Sequence, residues 1–291
     1  MRWTPGGESR DIEDRRGSSR GAFGGRGIHV GIGGAILLLV LSLVFHRDFF
    51  SLVEGGAGTG TVATADSGAV APVTSTPEED RLVQFVSFVL DDDQKTWERL
   101  EPADFGTPYR HAKLVLFRDA TETACGEGEA ATGPFYCPED ERVYIDLGFY
   151  EELRQRFGAP GDFAQAYVIA HELGHHVQKL AGIEGRAQRA MQADPEGANA
   201  VSVRLELQAD CYAGVWGHSA AQRNLLDPGD AQEGLDAAAA VGDDRLQRMS
   251  TGHVQADAFT HGSSAQRMAW FKRGFDSGDP RACDTFATRT P

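Results

Sequence analysis

Leu82, Val83, Phe85, Val86, Val89 and Leu90 recur at intervals of three and four, the spacing that lines apolar side chains along one face of an α-helix. The predicted helix opens at Thr76, where "TPEE" supplies an N-cap threonine, a proline at the first helical position and Glu79 to close a capping box. A second short helical stretch is expected around Trp97 and Leu100, after "DDD" at 91–93, which reads as a solvated helix break and lacks the alternation and glycine of a calcium loop. "AKLVLF" (112–117) and "RVYIDL" (142–147) predict short strands. "FYEELRQRFGAPGD" predicts a helix stopped by Gly158 and Pro160, after which Asp162 and Gln165 offer the capping box of another. Further helices are expected at about 197–219, 230–241 and 263–274, the last opened by Ser263 with Gln266 three residues on. Strands come first and helices after, which predicts an α+β fold, mainly helical with a small β-sheet.

One apolar run differs in kind. Residues 28–45, "IHVGIGGAILLLVLSLVF", carry no formal charge over 18 positions, just long enough to cross a bilayer. The leader before it has 27 residues and the nearest small-residue site, Ala63-Thr64-Ala65, lies far downstream, so an uncleaved transmembrane signal anchor is expected in place of a signal peptide. Arg10, Arg15, Arg16, Arg20 and Arg26 precede the run while only Arg47 follows closely, which predicts a disordered cytoplasmic tail over 1–27 and an extracytoplasmic remainder. Residues 46–76, rich in Gly, Ala, Thr and Ser, read as a flexible linker, and 77–291 as one folded domain.

Composition narrows the partners. A hydrophobic content of 41% supports an ordinary core, and a net charge of -15 with no basic stripe beyond the first 30 residues argues against nucleic acid. Four cysteines in a segment expected outside the cytoplasm suggest disulfides. The favoured pairs are Cys125–Cys137, which bracket one loop, and Cys211–Cys283, which would pin the C-terminus to a central helix; free buried thiols are the alternative. No C-x-x-C spacing recommends zinc ligation by cysteine.

"AYVIAHELGHHVQKLAG" (166–182) sinks three histidines and a glutamate into an otherwise apolar helix. His171 and His175, four apart, project from one face at the spacing that chelates one zinc ion, while Glu172 is turned by about 100° and can serve a metal-activated water as base. A satisfied pair of core histidines would share this spacing, so a third ligand matters. "SVRLELQADCYAGVW" supplies Glu206 and Asp210 four apart on one face of a helix whose flanks, Val203, Leu205, Leu207, Ala209 and Tyr212, leave little solvated side. Glu206 is the expected third ligand, and Asp210 the acceptor of the outer ring N–H of a zinc-bound histidine.

"HELGHH" followed by "ELQADCYAGVW" resembles the bacterial neutral zinc metallopeptidase family, gluzincin-like proteins with an H-E-x-x-H helix and an E-x-x-A-D helix. "MRWTPGGESRDIEDRRG", "GPFYCPEDERVYIDLGFYEEL", "VGDDRLQ" and "FTHGSSAQR" also look like stretches of that family, so the resemblance spans nearly the whole chain. It implies a single-pass, membrane-anchored zincin in the periplasm or at the surface of a bacterium, with one catalytic Zn2+ at His171, His175 and Glu206, Glu172 as the catalytic residue and Asp210 as the E-x-x-A-D aspartate.

Other polar residues carry weaker signals. His261, in "FTHGSSAQR", is a candidate oxyanion or carbonyl stabiliser, similar to an H-P-x-x-x-x-R ending with Gly262 in place of proline; a capping or loop-anchoring role is open too. Arg267 is its candidate partner or a carboxylate anchor. His176 points away from His175 and reads as surface or packing, and His218 and His253 have no recommending spacing. The expected activity is zinc-dependent hydrolysis of a peptide or protein substrate, with "RVYIDL" available to pair with an extended chain. A tethered binding module with structural zinc and an envelope hydrolase of non-peptide amides stay open at this point.

Overall fold

The computed structural model describes residues 1–17, 73–104, 106, 108–129 and 133–289. The capping box at Thr76 forms, with Thr76 N–H donating to Glu79 (3.0 Å) and Glu79 N–H to Thr76 Oγ1 (3.2 Å). From it runs one continuous helix, α1 (Pro77–Asp104), where two were expected. The acidic run at 91–93 sits inside α1 because its carboxylates find separate surroundings. Asp91 accepts from Ser9 Oγ at 2.5 Å, and Asp92 accepts from Trp216 Nε1 at 2.9 Å and Arg223 Nη2 at 2.8 Å. Asp93 is fully buried, with Trp97 as a polar neighbour but no well-formed hydrogen bond to either carboxyl oxygen among the described residues.

Burial, with the Asp92 charge beside it, pushes the Asp93 pKa well above the usual carboxylate range. The folded chain therefore keeps a proton that the unfolded chain releases, and the contribution of this group to stability falls as pH rises above about 4. Asp93→Asn removes the ionisation and nearly keeps the shape. Its thermal midpoint is expected to lie several degrees above that of the unmodified protein near pH 8, the two converging near pH 3. Equal midpoints at both pH values would refute this account.

The central strands of the sheet are β2 (Lys113–Phe117) and β6 (Arg142–Asp146), paired in parallel. β1 (Ile12–Asp14) runs parallel to β2 at one edge, and β5 (Phe135–Cys137) antiparallel to β6 at the other. Between β2 and β5, β3 (Ala120–Thr123) and β4 (Gly126–Glu129) form a separate hairpin. Disulfides join Cys125 to Cys137 and Cys211 to Cys283.

β1 overturns three expectations. Residues 1–17 belong to the domain instead of a disordered tail. Trp3 packs edge-on against Phe85 with centroids 5.3 Å apart, Asp11 pairs with Lys113 at 2.7 Å, and Arg15 N–H donates to the Leu116 carbonyl at 2.8 Å. Two of the arginines counted as orienting charges are already neutralised, Arg15 by Glu13 and Arg16 by Asp14. The β1–α1–β2 connection joins parallel strands through a helix, so the fold is mixed α/β and not a segregated α+β. The expected transmembrane helix over 28–45, with most of the linker, lies outside the described residues; among the described residues no helix is long and apolar enough to cross a membrane. A single crossing between 17 and 73 would put Ile12–Asp14 and Leu114–Leu116 on opposite sides of a bilayer, yet they pair in one sheet. That pairing corrects the single-pass topology, with its cytoplasmic N-terminus and extracytoplasmic domain.

The helices that follow are α2 (Gly148–Gln155), α3 (Asp162–Leu180), α4 (Ile183–Ala193), α5 (Ala198–Gln222), α6 (Asp230–Ala240), α7 (Asp243–Thr251) and α8 (Ser264–Ser277). The Ser263–Gln266 capping box opens α8 as expected. At α3 the N-cap is Gly161, and Glu233 of α6 reaches across to accept Phe163 N–H at 3.2 Å, a tertiary cap in place of the expected local one. Two close crossings then set the core. A side chain on Gly214 or Gly274 would strike the backbone of the facing helix, which locks α5 against α8. A Cβ on Gly174, inside the H-E-x-x-H turn, would lie 3.0 Å from the Ala209 backbone, so α3 and α5 meet almost backbone to backbone.

Candidate metal centre

The α3–α5 crossing brings the two motifs face to face. His171 Nε2 lies 3.2 Å from Glu206 Oε2, and His175 Nε2 lies 3.6 Å from Glu206 Oε1. The imidazoles stand edge to face, 4.9 Å between centroids. One ligand atom from each of His171, His175 and Glu206 falls within 4.8 Å of the others, close enough for all three to hold one ion.

Both rings are held from behind. His171 Nδ1 meets Asp210 Oδ1 at 2.9 Å, and His175 Nδ1 meets Gln178 Oε1 at 2.9 Å. In the neutral form each acceptor holds the ring hydrogen at Nδ1, which would leave Nε2, on the Glu206 side, free to ligate an ion. Asp210 is fully buried and carries three further interactions: Arg267 Nε donates to Oδ2 and Nη2 to Oδ1, both at 2.8 Å, and Tyr167 O–H donates to Oδ1; Arg267 Nη2 also reaches Tyr167 Oη at 3.2 Å. Arg267 is therefore the anchor of Asp210, not the partner of His261. The Arg267 Nη1 donor ends on the Val241 carbonyl at 3.2 Å.

The electrostatics call for a cation. Burial opposes charge on His171, but the Asp210 and Glu206 carboxylates outweigh it and raise its pKa to about 10. Burial likewise opposes ionisation of Glu206, and the charges of His175, His261 and His171 hold it well below the usual range. Glu172, Glu206 and Asp210 face one guanidinium, Arg267, so with neutral imidazoles two negative charges are left to balance. Two imidazole nitrogens, one carboxylate and that excess suit Zn2+.

Glu172 is 8% exposed and outside the three-residue group. Burial pushes its pKa up, against the pull of His171 and His175. His261 stands at the edge with its side chain half exposed, near enough to Glu206 for that carboxylate to raise its pKa against burial. Its loop is gathered by a residue outside the expected set, Asp243. One Asp243 oxygen accepts the backbone N–H groups of Thr260 (2.7 Å), His261 (2.6 Å) and Gly262 (3.0 Å), and the other lies 3.2 Å from His261 Nδ1. Gly262 has a φ of 90°, which a proline cannot adopt and which accounts for glycine at that place.

His176 is fully buried and turned from the site: Tyr136 O–H donates to its Nδ1 at 2.9 Å, and its Nε2 donates to the Arg110 carbonyl at 2.6 Å. His218 Nδ1 donates to the Phe275 carbonyl at 2.7 Å. His253 is exposed. β6, expected to receive an extended substrate, has β2 along one side and β5 against Arg142–Tyr144 on the other, which, among the described residues, leaves only Ile145 and Asp146 without a strand beside them there. Sequence reasoning missed Tyr167, Gln178 and Asp243. Tyr167 is four residues before His171 and Gln178 three after His175, so helical spacing could have found both. Asp243 could not be found that way, because it acts across 18 residues.

Residues 1–286 match the family described as "Putative neutral zinc metallopeptidase". The chain is 49% identical over 294 residues to the uncharacterized protein YpfJ of Escherichia coli (strain K12), covering 98% of this chain and 99% of that protein. It is 45% identical over 202 residues to the uncharacterized protein Rv2575 of Mycobacterium tuberculosis (strain H37Rv), covering 66% of each. No solved structure matches it.

Proposed function

Starting from the fact that the chain belongs to this zinc metallopeptidase family, we propose that it is a zinc-dependent peptidase hydrolysing peptide bonds in a peptide or protein substrate. The observation that carries the reading is the convergence of His171, His175 and Glu206, with the outer nitrogen of each imidazole already engaged. These three would hold the ion. Bound there, zinc supplies Lewis acidity toward a substrate carbonyl and lowers the pKa of water.

The remaining steps belong to the chain. Glu172 takes a proton from the attacking water onto its carboxylate and delivers it to the departing amide nitrogen. Burial, by raising its pKa, makes it a better proton acceptor than a solvated glutamate. His261, steadied at Nδ1 by Asp243, is the group that would donate to the oxygen that gains charge as the carbonyl is attacked. Asp210, clamped by Arg267 and Tyr167, keeps His171 in its ligating tautomer. A structural zinc site would be closed by four protein ligands, whereas the group found among the described residues has three, which favours catalysis. The two disulfides favour an oxidising compartment for the activity.

The test is zinc content with turnover of an unstructured protein. One zinc per chain and chelator-sensitive cleavage are expected. Turnover confined to non-peptide amides, or zinc held with no hydrolysis of either, would overturn the peptidase assignment.

A further inference from the structure

The two imidazoles are supported by unlike partners. His171 rests on a carboxylate, His175 on the neutral amide of Gln178. Gln178 is fully buried, and its nitrogen donates to the Leu205 carbonyl at 2.7 Å and to Gln208 Oε1 at 3.1 Å. The Gln208 nitrogen in turn donates to the Cys283 carbonyl at 3.0 Å. Cys283 is fully buried in the short 3-10 turn Pro280–Cys283 and is bonded to Cys211, the residue after Asp210 in α5.

The direction of this hydrogen-bond chain is set from its far end. A backbone carbonyl only accepts, so Cys283 obliges Gln208 to present its NH2 group there and its oxygen toward Gln178. Leu205 imposes the same orientation on Gln178. The oxygen left on Gln178 faces His175, whose Nδ1 must then carry the hydrogen. In that tautomer His175 keeps its Nε2 lone pair for a metal.

We propose that Gln178 and Gln208 are positioning residues that make the disulfide-anchored C-terminal segment part of the metal site. The Cys211–Cys283 bond holds a carbonyl that acts with that of Leu205 to orient the Gln178 amide and so the tautomer of His175, and the tightness of metal retention depends on that bond. A dithiol reductant passes two electrons and two protons to the S–S bond and becomes a disulfide itself. The products are two thiols, a Cys283 carbonyl held to α5 by hydrogen bonds alone, and a looser grip on zinc. The inference rests on His175 being a ligand.

Zinc affinity by chelator competition, measured on the full chain beside the thermal midpoint of the metal-stripped protein, tests it. Gln208→Leu and the paired change Cys211→Ser with Cys283→Ser are each expected to weaken zinc binding about 10-fold. Combined, they should weaken it no further, because they cut one relay. The paired change Cys125→Ser with Cys137→Ser should hold zinc as tightly as the unmodified protein. A lower midpoint with unchanged zinc affinity in Gln208→Leu would make the relay merely structural and overturn the proposal. Equal weakening from loss of the Cys125–Cys137 bond would overturn it as general destabilisation. Failure of the unmodified protein to bind zinc would instead sink the metal reading itself, a distinct result.

Discussion

Glu172→Gln is expected to lose peptide hydrolysis by about 10²–10⁴-fold in kcat while keeping its zinc. The glutamine has nearly the same volume, so a side chain only 8% exposed can be exchanged without opening a cavity or a clash. It cannot accept a proton from water, and that is the step assigned to Glu172. Zinc should stay because the carboxylate lies outside the ligand group, one position along α3 and rotated off the face that His171 and His175 share. Parallel measurements of zinc content and turnover decide the matter. Retained cleavage would remove Glu172 from the mechanism, and loss of both zinc and cleavage would make it a ligand instead of a base.

Arg267→Leu is expected to cost about 3–5 kcal/mol of folding stability, among the largest effects a single change can have here. Asp210 is fully buried, and the guanidinium beside it holds its pKa below the usual range against burial. Removing that partner strands a charge where water cannot reach it. For a chain of this size each kcal/mol corresponds to about 2–4 °C, so the thermal midpoint should fall by about 10 °C. Arg267→Lys should fall between, since an ammonium restores the charge but cannot grip both carboxylate oxygens as a planar fork does. Asp210→Asn added to Arg267→Leu should recover part of the loss, because the stranded charge is then gone. Equal midpoints for the single and double changes would show that the ion pair does not carry the stability assigned to it.

Local signals in the chain were legible where one element acts alone. The Thr76–Glu79 and Ser263–Gln266 capping boxes are contacts within a turn, so four residues suffice to specify them. The spacing of His171 with His175, and of Glu206 with Asp210, settled which side chains could share a helix face. Where a partner comes from elsewhere, local reasoning failed. The cap of α3 is Glu233, 70 residues downstream of the N–H it accepts. The strand Ile-Glu-Asp at 12–14 shows no apolar alternation and exists because β2 offers it an edge. Arginines read as orienting a membrane segment are instead paired with neighbouring acids.

By itself, then, the sequence determined the donor chemistry: two imidazoles and a carboxylate at helical intervals, a glutamate set apart from them, and cysteines spaced for two bonds. Only the tertiary structure decided that α3 and α5 cross at Gly174 and Ala209 closely enough to gather the three donors, and that Arg267 and Gln178 stand behind them. The reason is physical. Periodicity along a chain fixes which face a side chain occupies, whereas the approach of two faces depends on the absence of a Cβ at one crossing point and on buried polar groups finding partners across long sequence distances.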